Sequence, residues 1–378
     1  MKDLIQCRKE IDEIDAKMTA LFEERMQIAA EVAEYKRASG KKVFDKQRED
    51  EKLDAVEQMA SNAFFGRGLR ELFSQIMSLS RKYQYTMLAD KGQSGFIQVA
   101  VLECGGKDTV AFFGEPGSYT EQALMRALGE ECERKSCPTF SSVVEAVETG
   151  IAKYGVVPIE NTTTGDISDL YDLMAEHAVY PVAEQVIKIE HVLAAPEGAT
   201  EEGIKEVFSH PQALLQCSGY FEERPELLQR ACSSTSGCAL EVAKSKDVTK
   251  AAIASEIAAN RYGLTVLRRG LNNQNINSTR FLVLSKEKLF TEEADKVSVC
   301  FELAHESGSL YRILSHLIYN NLNMTKIESR PILGKQFEYR FFVDFDGNLS
   351  EPAVQNALTG IREEASRLKV LGCYKSFL

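Results

Sequence analysis

Residues 4–36 read LIQCRKEIDEIDAKMTALFEERMQIAAEVAEYK, one amphipathic helical pattern with cations planted among its hydrophobes. In heptads, one seam runs Leu4, Ile11, Met18, Arg25, Val32 and the other Cys7, Ile14, Leu21, Ile28, Tyr35. Arg25 thus falls inside an apolar stripe, where a guanidinium is costly unless an anion or an acidic side chain meets it. Arg8 and Lys36 flank the same face, four heptads apart. Each cation alone reads equally well as a snorkelling or Glu-paired side chain; the three together point to a site for a small polyanion. At about 1.5 Å rise per residue, Arg25 and Lys36 stand about 16 Å apart, within reach of one ligand. Arg8 lies about 25 Å further back, so it reaches that ligand only from a second chain. An unbroken helix of about 50 Å exceeds what a small domain buries by itself, which also favours an intertwined dimer.

Outward from this helix the polar pattern continues. After Gly40, a helix-like run from Lys46 to Asn62 opens on Asp45, Arg48 and Glu49, with Asp45 placed to cap backbone amides. A third helix, about Gly68 to Thr86, carries Ser80 and Gln84 one turn apart within an apolar surface of Leu69, Leu72, Phe73, Ile76, Met77, Tyr83 and Met87. These positions resemble the all-helical chorismate mutase family motif by motif: Arg8, Arg25, Lys36, then Asp45-x-x-Arg48-Glu49, then Ser80 and Gln84. The resemblance implies substrate binding by all eight, with Lys36, Glu49 and Gln84 catalytic. The reaction needs no nucleophile or base. The site has to hold the reactive conformer of a dicarboxylate and stabilise charge growing on an ether oxygen. Arg8 of a partner chain and Arg25 would clamp carboxylates, completed by Arg48 and Ser80. Lys36 and Gln84 would face the ether oxygen, and Glu49, helped by Asp45, the ring hydroxyl.

The chain has 378 residues, enough for two to four domains, with a formal charge of −11 and a pI near 5.2. That balance argues against nucleic acid and membrane-surface partners. No apolar run approaches the ~20 residues of a membrane helix, and no signal peptide is read ahead of the first helix, so a cytoplasmic protein is expected. Nine cysteines without Cys-x-x-Cys spacing read mostly as reduced thiols, and five histidines show no metal spacing. No metal and no cofactor are expected.

From Leu88 to Lys107 the periodicity lapses into a linker with room for a short pairing strand. Strand–helix alternation follows: strands 109–113, 154–159, 186–194, 207–209 and 251–254, with helices 121–128, 141–151, 167–176, 200–206, 212–221, 237–244 and 256–262. Two α/β lobes around a cleft are the simplest arrangement. Five strand-end loops are rich in hydroxyl and amide groups: Gly117-Ser118-Tyr119-Thr120, Glu160-Asn161-Thr162, Ser209-His210-Pro211-Gln212, Ser234-Thr235-Ser236-Gly237 and Asn277-Ser278-Thr279-Arg280-Phe281. Singly each reads as a helix cap; as a set they read as an anion site. His210 reads as an acid or base, or equally as a structural histidine. With Val157-Pro158-Ile159-Glu160-Asn161-Thr162, the set resembles prephenate dehydratase over about residues 107–285. That likeness implies a periplasmic-binding-protein-like two-lobed fold, Thr279 as the catalytic residue near the departing ring hydroxyl, and Glu160 supporting it. Asn161, Thr162, Ser209, Gln212, Ser234, Thr235 and Asn277 would bind the carboxylates and ketone.

From Lys296 the pattern runs strand, helix, strand, strand, helix, strand, a ferredoxin-like order. Glu328-Ser329-Arg330-Pro331 resembles the effector motif of ACT regulatory domains, and Gly308-Ser309-Leu310 stands where that family shows Gly-Ala-Leu. The likeness implies phenylalanine as effector, bound by Gly308, Leu310, Glu328, Ser329, Arg330 and Pro331, with Ser309 a departure from the pattern. The whole chain resembles the bifunctional P-protein family: a multidomain chain with an all-α mutase domain at 1–88, an α/β dehydratase domain at 107–285 and an α+β ACT domain at 295–378. Chorismate and prephenate are the implied substrates, phenylalanine biosynthesis the implied role, and a homodimer or higher homo-oligomer the implied assembly. Two rivals come from other classes: a non-catalytic amino-acid sensor, which predicts disrupted catalytic loops, and a helix-dimer scaffold with Arg25 as a register device.

Overall fold

A computed structural model of the chain describes residues 3–88, 94–163, 165–274, 276–332, 334–335 and 338–377. The linker positions 89–93 and Phe337, read as the start of a strand, lie outside the described residues. The chain divides into two compact units, Met1–Ser94 with Val299–Lys369, and Gly95–Ser298 with Val370–Leu378.

The first unit begins with three helices, α1 (Leu4–Ser39), α2 (Lys46–Gln58) and α3 (Ala63–Leu88). Asp3 caps α1 by accepting from the Gln6 amide at 2.7 Å, and Gly40, at φ 66°, ends it in the left-handed conformation that glycine tolerates. The Asp45 carboxylate accepts from the Arg48 amide at 3.1 Å and starts α2. The heptad reading needs a correction here. Leu4, Ile11, Ile14, Met18, Leu21, Ile28, Val32 and Tyr35 are all exposed. The face that α1 turns inward carries Phe22, Arg25, Met26, Ala29, Ala33 and Lys36. Ala29 and Ala33, both buried, let α3 approach closely, and a helix packs where its side chains are short enough to be covered. Of the expected seam residues, Arg25 and Cys7 are the ones not exposed, both half-buried.

The remainder of this unit is built on a four-stranded sheet in the order Met324–Pro331, Tyr339–Asp346, Lys296–Glu302, Arg367–Tyr374. The boundary between the units falls within the last two strands. Helices Ser309–Tyr319 and Pro352–Glu364 pack on each other and against α3. The second of these stops at Glu364, and Ser366 already donates to the Glu302 carbonyl.

The second unit has two lobes. One holds a mixed sheet in the order Glu133–Cys137, Thr109–Phe113, Tyr154–Asn161, Ser278–Ser285, Tyr180–Lys188, with Gly165–Asp166 paired beside Tyr154–Asn161. The other holds Thr265–Arg268, Val192–Ala195, Lys250–Ala254, Glu206–Ser209, Leu228–Ala231. Linker residues Ile97–Val99 pair in parallel with Leu289–Thr291. Val110, Phe112, Leu124, Val156 and Phe281 fill the first lobe, and Leu193, Val207, Tyr220 and Ile253 the second.

Several expectations fail locally. The apolar run read as one strand, 186–194, is two strands in different sheets, broken at 189–191 where the chain changes lobe. Residues 200–206 form only a 3-10 turn at Glu201–Gly203, and 212–221 is two short helices meeting at Cys217. Ser278–Ser285, read at its start as a loop, is a strand paired on both sides. Cys232 and Cys238 form a disulfide, with Cα atoms 6.2 Å apart; the other seven cysteines are not disulfide-bonded. Among the described residues, no helix is long and apolar enough to cross a membrane.

Candidate active sites

The three helices place most of the expected cations and amides of the first site. Arg25 is half-buried, and its Nη1 is enclosed with no hydrogen-bond partner among the described residues. Burial draws the Arg25 and Lys36 pKa values below their ordinary positions, while Glu49 acts on both in the opposite direction. The Lys36 ammonium donates to the Val43 carbonyl at 2.6 Å. Glu49 takes both of its oxygens to Arg81 Nη1, at 2.5 Å each. Next to Arg81 on α3, Ser80 and Gln84 are buried; Gln84 Nε2 donates to Ser80 Oγ at 3.4 Å, and Gln84 Oε1 has no partner among the described residues. A buried guanidinium nitrogen and a buried amide oxygen left unpaired are the kind of group a polar ligand completes.

Three expected residues stand apart from this cluster. Arg8 is exposed on the first turns of α1. Arg48 points to solvent and sits 3.9 Å from Glu51, one turn on. Asp45 is engaged as the cap of α2, although its charge still acts on Lys36.

In the second unit the chain crosses between the lobes at 189–191 and again at 269–277. Asn272 ties the crossings together, accepting from the His191 amide at 2.8 Å and donating to the Ile189 carbonyl at 3.0 Å. Beside them lies a cavity of about 420 Å³ lined by Thr162, Thr163, Gln212, Gln216, Asn273 and Asn277, among others. Asn161 and Thr279 face each other across paired strands, and Asn161 Nδ2 donates to Thr279 Oγ1 at 2.8 Å and to Asn277 Oδ1 at 2.9 Å. The amide orientation follows from chemistry: the Thr163 backbone N–H, which can only donate, reaches Asn161 Oδ1 at 2.9 Å. Thr279 therefore accepts from Asn161, and its own hydroxyl hydrogen stays free to be donated. Asn277 Nδ2 is buried without a partner among the described residues.

A neutral chain of hydrogen bonds backs this pair. Thr163 Oγ1 donates to Asn161 Oδ1 at 2.6 Å and accepts from Gln216 Nε2 at 3.0 Å; Gln216 Oε1 meets His191 Nε2 at 3.1 Å. Burial holds the His191 pKa below its ordinary value, so the ring is neutral at pH 7 and donates from Nε2. Glu160 is engaged elsewhere, with Arg280. Successive strand residues alternate faces, and Glu160, opposite Arg280, pairs with it at 3.0 Å on the face away from Thr279. The fully buried Ser209 donates to the Ile253 carbonyl at 2.6 Å. Ser234 caps the helix Thr235–Ser245, placing half-buried Thr235 at its first turn, and His210 Nδ1 caps Pro211–Gln216. Thr163, Gln216 and His191 escaped the sequence reading. Gln216 carries a usable signal, standing one turn after Gln212; an isolated histidine carries none.

In the first unit, Gly308 adopts φ 77° before helix Ser309–Tyr319. Leu310 lines a cavity of about 340 Å³ with Leu303, Glu306, Tyr339 and Phe341. Glu328, Ser329, Arg330 and Pro331 lie on the edge strand, where Ser329 pairs with Phe341 and Pro331 with Tyr339.

Residues 7–85 match the chorismate mutase type II family and residues 110–289 the prephenate dehydratase family. Over the full length, the chain is 33% identical to the bifunctional chorismate mutase/prephenate dehydratase of Aquifex aeolicus, covering 100% of this chain and 99% of the relative. The chain belongs to the bifunctional chorismate mutase/prephenate dehydratase family. The Escherichia coli K12 member is also 33% identical, over 99% of this chain and 96% of its own. A prephenate dehydratase from Arthrobacter aurescens, solved in complex with L-Phe, superposes with a TM-score of 0.66 at 30% identity, covering 71% of this chain and 90% of its own. As in this family, the chain is both an isomerase and a carbon–oxygen lyase: chorismate mutase and prephenate dehydratase.

Proposed function

We propose that the chain performs two consecutive steps of phenylalanine biosynthesis, each at its own site, in the cytoplasm. Chorismate rearranges among the helices and prephenate loses water and carbon dioxide at the lobe crossings. The enclosed Arg25 Nη1, without a hydrogen-bond partner among the described residues, carries the mutase assignment, since an enclosed guanidinium nitrogen left unpaired calls for an anion. Arg25 holds a substrate carboxylate, Lys36 and Gln84 face the ether oxygen as charge grows there, Ser80 supports Gln84, and Glu49 receives the ring hydroxyl. Asp45 tunes Lys36. Arg8 joins from a second copy of the chain, seated along the exposed apolar stripe of α1, and Arg48 serves the rim.

At the dehydratase site, Thr279 donates to the departing ring hydroxyl. The bond from Asn161 orients Thr279 Oγ1, and aromatisation of the ring then drives decarboxylation. Asn277, Thr162 and Gln212 bind the carboxylates beside it; Ser209, Ser234, Thr235 and Glu160 shape the loops that bear them.

The C-terminal part is an ACT domain of ferredoxin-like order, and the three-domain division 1–88, 107–285 and 295–378 describes the chain by function. Phenylalanine occupies the cavity beside Leu310 and inhibits the dehydratase. Gly308 leaves room for its approach, and the strand Glu328–Pro331 presents backbone groups. Ser309 lies at the cavity edge and retunes the response.

One coupled assay tests the whole reading: chorismate in, phenylpyruvate out, with and without phenylalanine. Conversion with inhibition is expected. Failure of either half removes that activity, and loss of response alone removes the regulatory role. Co-expressed Arg8→Ala and Lys36→Ala chains, each inactive alone, are expected to regain mutase sites in mixed dimers; verified heterodimers without activity remove the composite site.

A further inference from the structure

The proposed mutase chemistry leaves buried ionisable groups unexplained, among them Arg81, Glu364 and His316. The side chains of Arg81 and Glu364 are 5% and 2% exposed. Charges taken this far from water persist only in tight, well-directed pairs. Arg81 makes two. Its Nη1 grips Glu49, and its Nε donates to Glu364 Oε1 at 2.9 Å, while the guanidinium lies over the Phe44 ring at 5.0 Å. Glu364 Oε1 also meets His316 Nε2 at 3.1 Å, and Glu364 Oε2 has no partner among the described residues. His316 fits only because position 360 is glycine: a Cβ there would stand 2.4 Å from the imidazole ring. The neighbouring Glu363 accepts from the Val43 amide at 3.1 Å, and Val43 is the residue whose carbonyl holds Lys36. The last turn of the C-terminal helix Pro352–Glu364 thus stands behind both Glu49 and Lys36.

We propose that Glu364 is a positioning residue for the mutase: it anchors Arg81, and Arg81 in turn holds Glu49 where the substrate hydroxyl arrives. This rests on the role given above to Glu49. The physical argument is geometric. A guanidinium is a rigid planar fork whose Nε and Nη1 can serve two carboxylates in a fixed relation, which a lysine ammonium cannot do. With Glu364 removed, Arg81 keeps one carboxylate and gains freedom to swing, and Glu49 swings with it. Misplacement of a catalytic group by about 1 Å is enough to cost up to a hundredfold in rate. Residues more than 270 positions beyond the mutase helices then belong to the working mutase, although they touch no substrate.

The test uses the full chain, with mutase assayed on chorismate, dehydratase on supplied prephenate, and thermal unfolding as a check of fold. Glu364→Ala is expected to lower mutase kcat by about 10-fold to 100-fold with a smaller change in KM, and to leave dehydratase within about twofold. Glu364→Gln, whose carbonyl still accepts from Arg81 Nε, should recover most of the loss. In a Glu49→Gln background, Glu364→Ala should add less than about twofold, because it acts through Glu49. Arg81→Lys, which keeps the charge but not the fork, should reproduce the kcat loss if Glu364→Ala folds poorly. Wild-type mutase rates in Glu364→Ala and Arg81→Lys, or a full multiplicative loss in the Glu49→Gln background, overturn the relay alone. A Glu49→Gln enzyme with unchanged mutase rate overturns the role of Glu49, and the relay with it.

Discussion

The two candidate sites hold their reactive groups by opposite means. Among the helices, Glu49, Arg81 and Glu364 form a chain of full charges, with Arg25 and Lys36 alongside. At the lobe crossings, His191, Gln216, Thr163, Asn161 and Thr279 form a chain of neutral hydrogen bonds. The difference follows the chemistry. A rearrangement that only needs charge stabilised on one oxygen is served by fixed ions. A step that must deliver a proton is served by oriented hydroxyls and amides, whose hydrogens are directed by what each atom already accepts.

The sharpest way to break this contrast is at Arg25. Arg25→Ala is expected to lower mutase activity by about 10³-fold, while dehydration of supplied prephenate stays within about twofold. Parallel loss of both activities in a folded protein would show that the sites are not independent. Next in size is Thr279→Ala, expected to reduce dehydratase kcat by about 100-fold with little change in KM, Thr279→Ser keeping much of the rate. A pure KM effect would move Thr279 from proton delivery to recognition. Salt sharpens the comparison further. Raising ionic strength from about 0.05 to 0.5 M should raise the KM for chorismate several-fold more than that for prephenate, since the described lining of the second site is uncharged whereas the first presents full charges.

The smallest effects concern pH. His191 is held below its ordinary value near 6.5, so the unfolded chain binds a proton first, and the stability His191 contributes is lost as pH falls below 6.5 toward its folded value. Glu364 is held below its ordinary value near 4.5 by His316 and Arg81, against the opposing pull of burial. Its contribution is complete above pH 4.5 and disappears as pH falls through the folded value. Melting curves should therefore begin to flatten at different pH, below 6.5 for His191→Gln and only below 4.5 for Glu364→Gln. The same window for both would deny that the two networks are separate.

How far the sequence reading reached follows the same division. Arg25, Lys36, Ser80 and Gln84 were legible because a helix converts spacing into a shared face. The apolar seam of α1 is left exposed within one chain because apolar character does not say which of two faces a single chain covers; the small side chains of Ala29 and Ala33 decide that. Arg81 and Glu364 were invisible because they are 283 positions apart and no periodicity links them. In the dehydratase lobes, Asn161 and Thr279 were found as members of polar loops, yet Thr279 sits in a strand. A single run of hydroxyl and amide residues does not tell a loop from the polar end of a buried strand. Glu160 was drawn into the wrong network because strand alternation applies only once the register is known.

Gly360 has a consequence for relatives of this chain. It brings no side chain at all, yet the imidazole of His316 stands in the space a methyl group would take. Positions 316 and 360 are therefore coupled by volume, and positions 81, 364 and 49 by charge. Among homologous sequences, any side chain at 360 should travel with a smaller residue at 316. Where both have changed, the acidic residue at 364 and the arginine at 81 should be released to vary together. A silent glycine on a C-terminal helix would then forecast, from sequence alone, which relatives steady their mutase carboxylate from the far end of the chain.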